Sequence, residues 1–307
     1  MSYSGGVLIR ANRTGDGKDN YKSSYFQTAS YVGNDEILLT TYAESFVYDL
    51  NFSLKKSKPL DFALLSNSSG KNRAAQSYGE YLYTFSVELT DIDKIYNSEE
   101  LNILYPFLTI RDLSTLEIVS SDSLPKESQP AIHNGMFSNL DPIVQLRQDE
   151  MFVLFPNSPE MYVYAFPELK FKTSWELDPQ DEYKQTLPSI SRQNFDGFFK
   201  ELAGSQYKEF TFSNDYLLTM YEGAAPQEEV DALPRNVVGD ERYMDLYYKY
   251  KSTTYYQIFK EQEKLWEGSW DVNLSSVRDL LYSNAKPGED PDAVEKDLQT
   301  IYFYELK

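Results

Sequence analysis

Three short runs rich in β-branched and aromatic residues decide the fold: Asp149-Glu-Met-Phe-Val-Leu-Phe155, Met161-Tyr-Val-Tyr-Ala-Phe166 and Leu169-Lys-Phe-Lys-Thr-Ser-Trp-Glu-Leu177. A Pro-Asn-Ser-Pro break separates the first two runs, and a Pro-Glu break separates the second from the third. Runs of this length, bounded by turns that contain proline, are typical of successive antiparallel strands. In the third run apolar residues and Thr173 alternate with charged and polar residues, which predicts a strand with Phe171 and Trp175 on one apolar face.

The same order of turn, strand, gap, strand and hairpin recurs along the chain. The third strands of the successive units centre near Tyr48, Ile110, Tyr164, Gln257 and Phe303. The interval from Tyr164 to Gln257 is about twice the shortest interval, so we predict a sixth, degenerate unit between Tyr183 and Phe212. Units of roughly 40 to 60 residues with about four strands each indicate a β-propeller.

The predicted fold is therefore all-β, a single β-propeller domain over residues 1–307 with six blades favoured and five as the alternative. The N-terminal strand Val7–Arg10 would pair with the last blade and leave no long exposed edge. That last unit starts with a strand predicted at Val277–Tyr282. A pair of immunoglobulin-like sandwiches is the structural alternative, because short strands and turns also fit it. Insertions interrupt the units at 88–105 and 222–251.

Composition excludes several classes of function. The chain has 48 acidic residues against 29 basic ones, which argues against a surface that binds nucleic acid or anionic lipid. It has no cysteine, so disulfides, thiolate catalysis and Cys-ligated zinc are excluded. No apolar run approaches the length of a transmembrane helix. The N-terminus lacks the basic and apolar regions of a signal peptide, so we expect either a cytoplasmic protein or a mature domain whose leader has been removed.

Two further stretches carry a family resemblance. They are Tyr216-Leu-Leu-Thr-Met-Tyr-Glu-Gly-Ala-Ala-Pro226, which a polar insertion follows, and Ile301-Tyr-Phe-Tyr-Glu-Leu306. With the blade rhythm, they make most of the chain resemble the six-bladed, TolB-like β-propeller lipoproteins of Bacteroidota, many of them of unknown function. The resemblance implies a place in the cell envelope through a lipidated cysteine after a signal peptide, a leader that this chain would have lost. It implies no agreed catalytic residues, and none are transferred.

Few side chains suggest a chemistry. His133 is the only histidine, and no Gly-x-Ser-x-Gly elbow exists to place a nucleophile beside it, so a loop histidine with local hydrogen bonds is favoured. The segment Asp16–Asn20 looks like a calcium loop, but Lys18, Tyr21 and Gln27 stand where an EF-hand needs an oxygen ligand, a glycine and a glutamate. We therefore predict no metal and no cofactor, and the catalytic residues, if any exist, stay unknown.

Paired carboxylates support the rival hypothesis, a carbohydrate-active hydrolase that works at the central funnel of a propeller. Glu80, Asp149, Asp215 and Asp279 all precede or begin strands, so they could cluster at one rim. Their equivalent positions in several units favour a repeated role in turns over catalysis.

A dense group of tyrosines follows the second insertion: Tyr243, Tyr247, Tyr248, Tyr250, Tyr255 and Tyr256. Tyrosine stacks on sugars and peptides and offers a hydroxyl group, so Tyr243, Tyr247, Tyr248 and Tyr250 are the predicted ligand- or partner-binding residues. The competing interpretation is strand packing with a period of two. The sequence thus favours a non-enzymatic propeller that binds a protein, glycan or small ligand on one face through its two insertions.

Overall fold

A computed structural model describes most of the chain. The described residues are 10–21, 26–33, 35–41, 43–65, 75–92, 105–132, 135, 137–189, 193–236, 238–277, 280–284, 286–288 and 300–306. Strands are the most abundant regular structure among them and form five antiparallel sheets. The chain divides into two compact units, one made of Met1–Pro125, Leu146–Met151 and Tyr164–Lys172, the other of Lys126–Gln145, Phe152–Val163 and Thr173–Lys307. The all-β prediction is confirmed.

Two sheets belong to the first unit. Sheet 1 holds four strands in sequence order: β1 (Phe26–Val32), β2 (Glu36–Thr41), β3 (Glu44–Asp49) and β4 (Leu54–Pro59). Sheet 2 holds β5 (Phe62–Leu64), β6 (Ala75–Tyr78), β7 (Tyr81–Glu88), β8 (Leu108–Asp112) and β9 (Ile118–Asp122). Both β5 and β6 pair with β7. Leu38, Leu82 and Phe62 are among the side chains that form the apolar core of this unit.

Sheet 3 contains the stretch that opened the sequence analysis. Its strands lie in sequence order as β10 (Ile143–Arg147), β11 (Glu150–Leu154), β12 (Glu160–Ala165) and β13 (Lys170–Glu176). The three strands predicted from residues 149–177 are therefore confirmed as β11, β12 and β13. The apolar face of the third strand is only partly buried, since Phe171 is 46% exposed. The reason is that β13 is an edge strand, so burial is confined to its Trp175 end and to the flanking Leu169 and Leu177.

Two further sheets lie in the second unit. Sheet 4 orders β14 (Gln206–Ser213), β15 (Tyr216–Glu222), β16 (Thr254–Lys260) and β17 (Glu263–Ser269). Sheet 5 holds β18 (Ser275–Val277), β19 (Leu280–Ser283) and β20 (Tyr302–Tyr304). The single strand predicted at Val277–Tyr282 is wrong, because the chain reverses there and β18 pairs antiparallel with β19.

Helices account for the largest departure from the predicted repeat. The α-helices that the structure describes over their full length are α1 (Gln129–Ile132), α2 (Asp196–Ala203), α3 (Gln227–Asp231) and α4 (Glu241–Lys251). The sixth unit predicted between Tyr183 and Phe212 is not observed: the described residues from Leu177 to β14 form no strand, and α2 lies among them. Phe199 and Leu202 stand three positions apart in α2, which puts both on its buried face. Most of the predicted closing strand Val7–Arg10 lies outside the described residues, so closure stays a prediction.

An apolar core in the second unit joins sheet 4 to β11 and β12. Phe152 packs edge-on against Phe212, with ring centroids 4.7 Å apart, and Leu154, Met161 and Phe210 belong to the same cluster. Of the helices in the described part of the chain, none is long and apolar enough to cross a membrane.

Candidate functional site

The insertion predicted at 222–251 leaves sheet 4 between two paired strands. Glu222, the last residue of β15, lies directly opposite Thr254, the first residue of β16. The chain between them forms α3 and α4. The other predicted insertion, 88–105, begins at the end of β7, but residues 93–104 lie outside the described part of the chain.

Local sequence explains why α4 is a helix. The Asp240 carboxylate accepts a hydrogen bond from the Arg242 backbone N–H at 3.0 Å, so it caps the N-terminus. Glu241 lies in the first turn, and Lys249 and Lys251 lie in the last turn, where each charge complements the helix dipole. The interpretation of residues 243–250 as strand packing with a period of two is therefore wrong. It does apply to Tyr255 and Tyr256, which lie in β16.

The helix separates the four predicted binding tyrosines. Tyr243, Tyr247 and Tyr250 are spaced as i, i+4 and i+7, so they share one helix face and pack on the core of the insertion. Tyr243 is buried and meets the Phe199 ring edge-on at 5.6 Å between centroids, and burial raises its pKa to about 12. Tyr248 points away and is 64% exposed.

That core belongs to the helices themselves. Its buried members come from α2, α3, α4 and the segments beside α3: Phe199, Leu202, Ala225, Val230, Leu233 and Tyr243. The Tyr250 hydroxyl group donates a hydrogen bond to the Glu229 carboxylate, and the Lys249 ammonium group lies 3.3 Å from the same carboxylate. The aromatic side chains of α4 thus hold α3 and α4 together.

Ionisable side chains lie buried beneath α4. Lys251, its last residue, is 7% exposed and donates a hydrogen bond to the Gly204 carbonyl oxygen. Burial lowers the pKa of Lys251 to about 8. Burial also raises the pKa of Glu201 on α2, although Ser138 and Gln206 lower it. Opposite shifts in neighbouring buried groups are a recognised mark of functional sites, although structural ion networks produce them too.

A second buried polar network lies in sheet 4, and sequence reasoning missed it. Glu267 accepts hydrogen bonds from the Tyr221 hydroxyl at 2.7 Å, the Gln180 backbone N–H at 2.9 Å, the Gln257 amide at 3.1 Å and the Lys264 ammonium at 3.0 Å. Burial alone would raise the pKa of Glu267, but these hydrogen bonds outweigh it and lower the pKa. The network ties the segment after β13 to sheet 4. A glutamine inside the run Tyr255-Tyr-Gln-Ile-Phe259 was the signal that could have revealed it.

Three of the four acids predicted at one rim lie in hairpin turns. Glu80, Asp149 and Asp215 each follow a residue with left-handed backbone, namely Gly79, Gln148 and Asn214. The carbonyl oxygen of Glu80 accepts a hydrogen bond from Leu113 N, and that of Asp149 accepts one from Phe166 N, each at 2.8 Å. These two acids therefore fasten the start of the second strand to the end of the third. Asp279 lies outside the described residues.

The predictions about His133 and about a metal at Asp16–Asn20 stay predictions. His133 lies outside the described residues. Asp16–Asn20 is described, and within the described ranges no three His, Cys, Asp or Glu side chains come together as metal ligands would.

The fold and insertion place the chain among all-β proteins built from several four-stranded antiparallel sheets. No protein-family model matches it, and no curated protein does. Solved structures are similar at low identity. A protein described as exported, from Bacteroides fragilis NCTC 9343, matches with a TM-score of 0.47 and 12% identity over 84% of this chain and 65% of that one. This chain thus spans less than two thirds of that protein.

Two other similar structures cover more of this chain. A protein of unknown function from Bacteroides caccae has a TM-score of 0.39 and 8% identity over 93% of this chain and 80% of that one. The Cps50 (Swd1) β-propeller domain of Myceliophteria thermophila has a TM-score of 0.39 and 9% identity over 93% of this chain and 73% of that one.

Proposed function

We propose that this protein is a non-enzymatic β-propeller that binds a protein or small ligand on one face through the segments 88–105 and 222–251. The repeated four-stranded antiparallel sheets support the propeller, because such sheets are its blades. The number of blades belongs to the same proposal, and the five sheets of the described residues support five rather than the six favoured from the sequence. Closure by the N-terminal strand is also part of it. So is a location in the bacterial cell envelope, which rests on the resemblance to TolB-like lipoproteins.

The observation that carries the proposal is the exposure of Tyr248. The helices α3 and α4 bury their apolar residues among themselves and α2, while Tyr248 stands 64% exposed on the outer face of α4. Tyrosine is enriched where proteins meet partners, because it offers a large ring with little conformational entropy to lose. Charged residues surround it in sequence, with Asp245 and Lys249 both exposed. This face therefore has the polar rim and aromatic centre of a small interface.

A photo-crosslinking experiment tests the proposal. A photoreactive phenylalanine analogue replaces Tyr248 in one variant and Tyr31 in another, and both are illuminated in intact cells of the source organism. Tyr31 is a matched control, since it is also a tyrosine and is 59% exposed, but it lies in sheet 1. We expect a discrete adduct at position 248 and none at position 31. The same adducts at both positions, or none at position 248, would contradict the proposal.

Affinity measurement then identifies the contact. With the crosslinked partner purified, Tyr248→Ala should weaken binding about tenfold or more, which corresponds to the loss of about 1–2 kcal/mol from an interface anchor. Hydrolysis of a polysaccharide that is lost in Asp215→Asn would instead favour the rival hydrolase hypothesis.

A further inference from the structure

We propose that the C-terminal end of α4 is a pH-sensitive clasp, in which the Lys251 side chain holds the end of this helix against the segment that follows α2 most tightly as the neutral amine. The inference concerns the docking of α4 itself and needs no partner for its test. Should the proposed function also hold, the clasp would regulate how rigidly Tyr248 is presented.

The clasp begins with the placement of Lys251. Its side chain is almost fully buried, and its ammonium group donates to the Gly204 carbonyl oxygen, a neutral acceptor. An ammonium group has three donors and strongly prefers water or a carboxylate. In the described part of the chain no carboxylate lies within ion-pair distance of it. Among the carboxylates, Glu222 has the largest electrostatic effect on Lys251, but it forms an ion pair at 2.6 Å with Lys208.

The acceptor of this hydrogen bond is rigidly held. Gly204 follows α2, and its backbone N–H donates to the Glu201 carbonyl oxygen. A Cβ atom at position 204 would lie 2.3 Å from the Thr186 hydroxyl oxygen, so the backbone is packed against Thr186. Because Gly204 packs closely on Thr186, the hydrogen bond from Lys251 links the end of α4 to a well-packed segment at the end of α2. The negative end of the α2 dipole favours the charged amine there, while burial disfavours it.

The charged groups that act on Lys251 are Glu201 on α2, Lys208 on β14 and Glu222 on β15. Tyr243 and Tyr247 on α4 itself interact with the carboxylates of this set. Burial has the largest effect on the pKa of Lys251 and lowers it, and the positive charge of Lys208 lowers it further. The attraction of Glu222 and Glu201 raises this pKa but is outweighed, so the pKa falls to about 8.

Glu201 is a second ionisable group whose charged form is disfavoured by burial. One of its carboxylate oxygens is buried without a hydrogen-bond partner, as are the Ser138 hydroxyl oxygen and the Gln206 amide nitrogen. Interactions with Ser138, Gln206, the Lys251 charge and the Asn139 backbone lower the pKa of Glu201. Burial has the larger effect and raises that pKa. A buried ammonium group and a largely buried carboxylate that attract each other without forming an ion pair therefore lie at the base of α4.

The sign of the pH dependence follows from linkage. The docked state binds Lys251's proton less strongly than the undocked state, whose pKa is the ordinary 10.5. Docking therefore strengthens as pH rises above about 7, and the gain is complete once pH exceeds 10.5. Glu201 has the opposite pH dependence. Its protonation strengthens docking as pH falls through its raised pKa. Docking is weakest between these two titrations, and Tyr243 titrates above this window.

Hydrogen–deuterium exchange of residues 241–251 tests the clasp, with rates corrected for intrinsic exchange at each pH. Between pH 7 and pH 9 a pKa of 8 in the docked state predicts a rise in protection of about tenfold. Lys251→Met should abolish this rise, and Lys249→Met, a substitution at an exposed lysine on the same helix, should retain it. Lys251→Arg stays charged throughout, so its protection should be low and independent of pH.

Two results would overturn the inference. One is wild-type protection that changes less than twofold between pH 7 and pH 9, and the other is a Lys251→Met variant that keeps the wild-type rise. If Lys251→Met does not fold, Lys251→Arg decides, because a rise in its protection equal to that of the wild type contradicts the clasp. None of these outcomes depends on Tyr248 crosslinking, so failure here and failure of the proposed function are separate results.

Discussion

Replacing Glu267 with alanine should destabilise the protein by about 3–5 kcal/mol. The Glu267 side chain is only 3% exposed and accepts four hydrogen bonds. Two of the donors, on Tyr221 and Gln257, belong to side chains fully shielded from water, and leaving each unpaired costs about 1–3 kcal/mol. Loss of the hydrogen bond costs less free energy for the other two donors, because water can reach them: Lys264 is 19% exposed and Gln180 lies at the surface.

Urea denaturation followed by tryptophan fluorescence measures this loss, with Glu263→Ala as the matched control. Glu263 lies in the same strand as Glu267, but it is exposed, so its substitution should change the free energy of unfolding by less than about 0.5 kcal/mol. A Tyr221→Phe substitution, alone and with Glu267→Ala, isolates the energy of one contact. If Glu267→Ala costs no more than Glu263→Ala, the reasoning about this network is refuted.

The same carboxylate makes a prediction about pH. Because the pKa of Glu267 is lowered in the folded state, its contribution to stability is present above the ordinary glutamate pKa and is lost as pH falls through the lowered value. The difference in unfolding free energy between the wild type and Glu267→Gln should therefore be largest near pH 6–7 and shrink towards pH 3. A difference that is constant over this range would contradict the assigned charge.

Three further substitutions test other parts of the fold by thermal denaturation. Arg111→Met removes a buried guanidinium group that lies 2.5 Å from the Glu88 carboxylate and also donates to the Leu116 carbonyl oxygen. Because Glu88 is 33% exposed and water can solvate its charge, the loss of stability should be about 1–3 kcal/mol; an unchanged melting temperature would contradict this. Asp112→Ala removes a carboxylate whose pKa is lowered by hydrogen bonds within its turn. The variant should therefore melt below the wild type at pH 7 and close to it at pH 3, and an equal difference in melting temperature at both pH values would contradict this. Gly204→Ala puts a Cβ against Thr186 and should cost about 1–3 kcal/mol, whereas an unchanged melting temperature would mean that the backbone yields there.

Short strands separated by clear turns could be predicted from the sequence. The runs that became β11 and β12 were visible because proline breaks bound them and their residues favour strands. The position of a strand within its sheet could not be predicted from the sequence. An alternating run such as β13 has the same pattern at the edge of a sheet as at its centre, and Phe171 is exposed because only one neighbouring strand covers it.

The helices were not predicted from the sequence, for a different reason. A high tyrosine content suggested strands, but Tyr243, Tyr247 and Tyr250 follow the helix period, and Asp240 provides the cap that starts the helix. In α2 the regular spacing of the strand units suggested another unit where the chain forms a helix instead. Spacing alone cannot separate these cases, because a helical connection can be as long as a blade.

The candidate site was predicted in part. The insertion and its tyrosines could be located in the sequence, but the different fates of Tyr248 and Tyr243 depend on which helix face meets the core. Lys251 and Glu201 are ordinary charged residues in sequence. Their burial arises only when α2 and α4 pack together, which no local pattern encodes.

The facing positions of Glu222 and Thr254 make sheet 4 a natural acceptor for foreign segments. The chain departs and returns on neighbouring strands of one hairpin, so its endpoints are as close as those of a tight turn. Evolution could lengthen, shorten or exchange the intervening peptide here without altering strand register. An engineer could graft a binding loop at the same junction, provided that the α2 residues now covered by α3 and α4 are made polar.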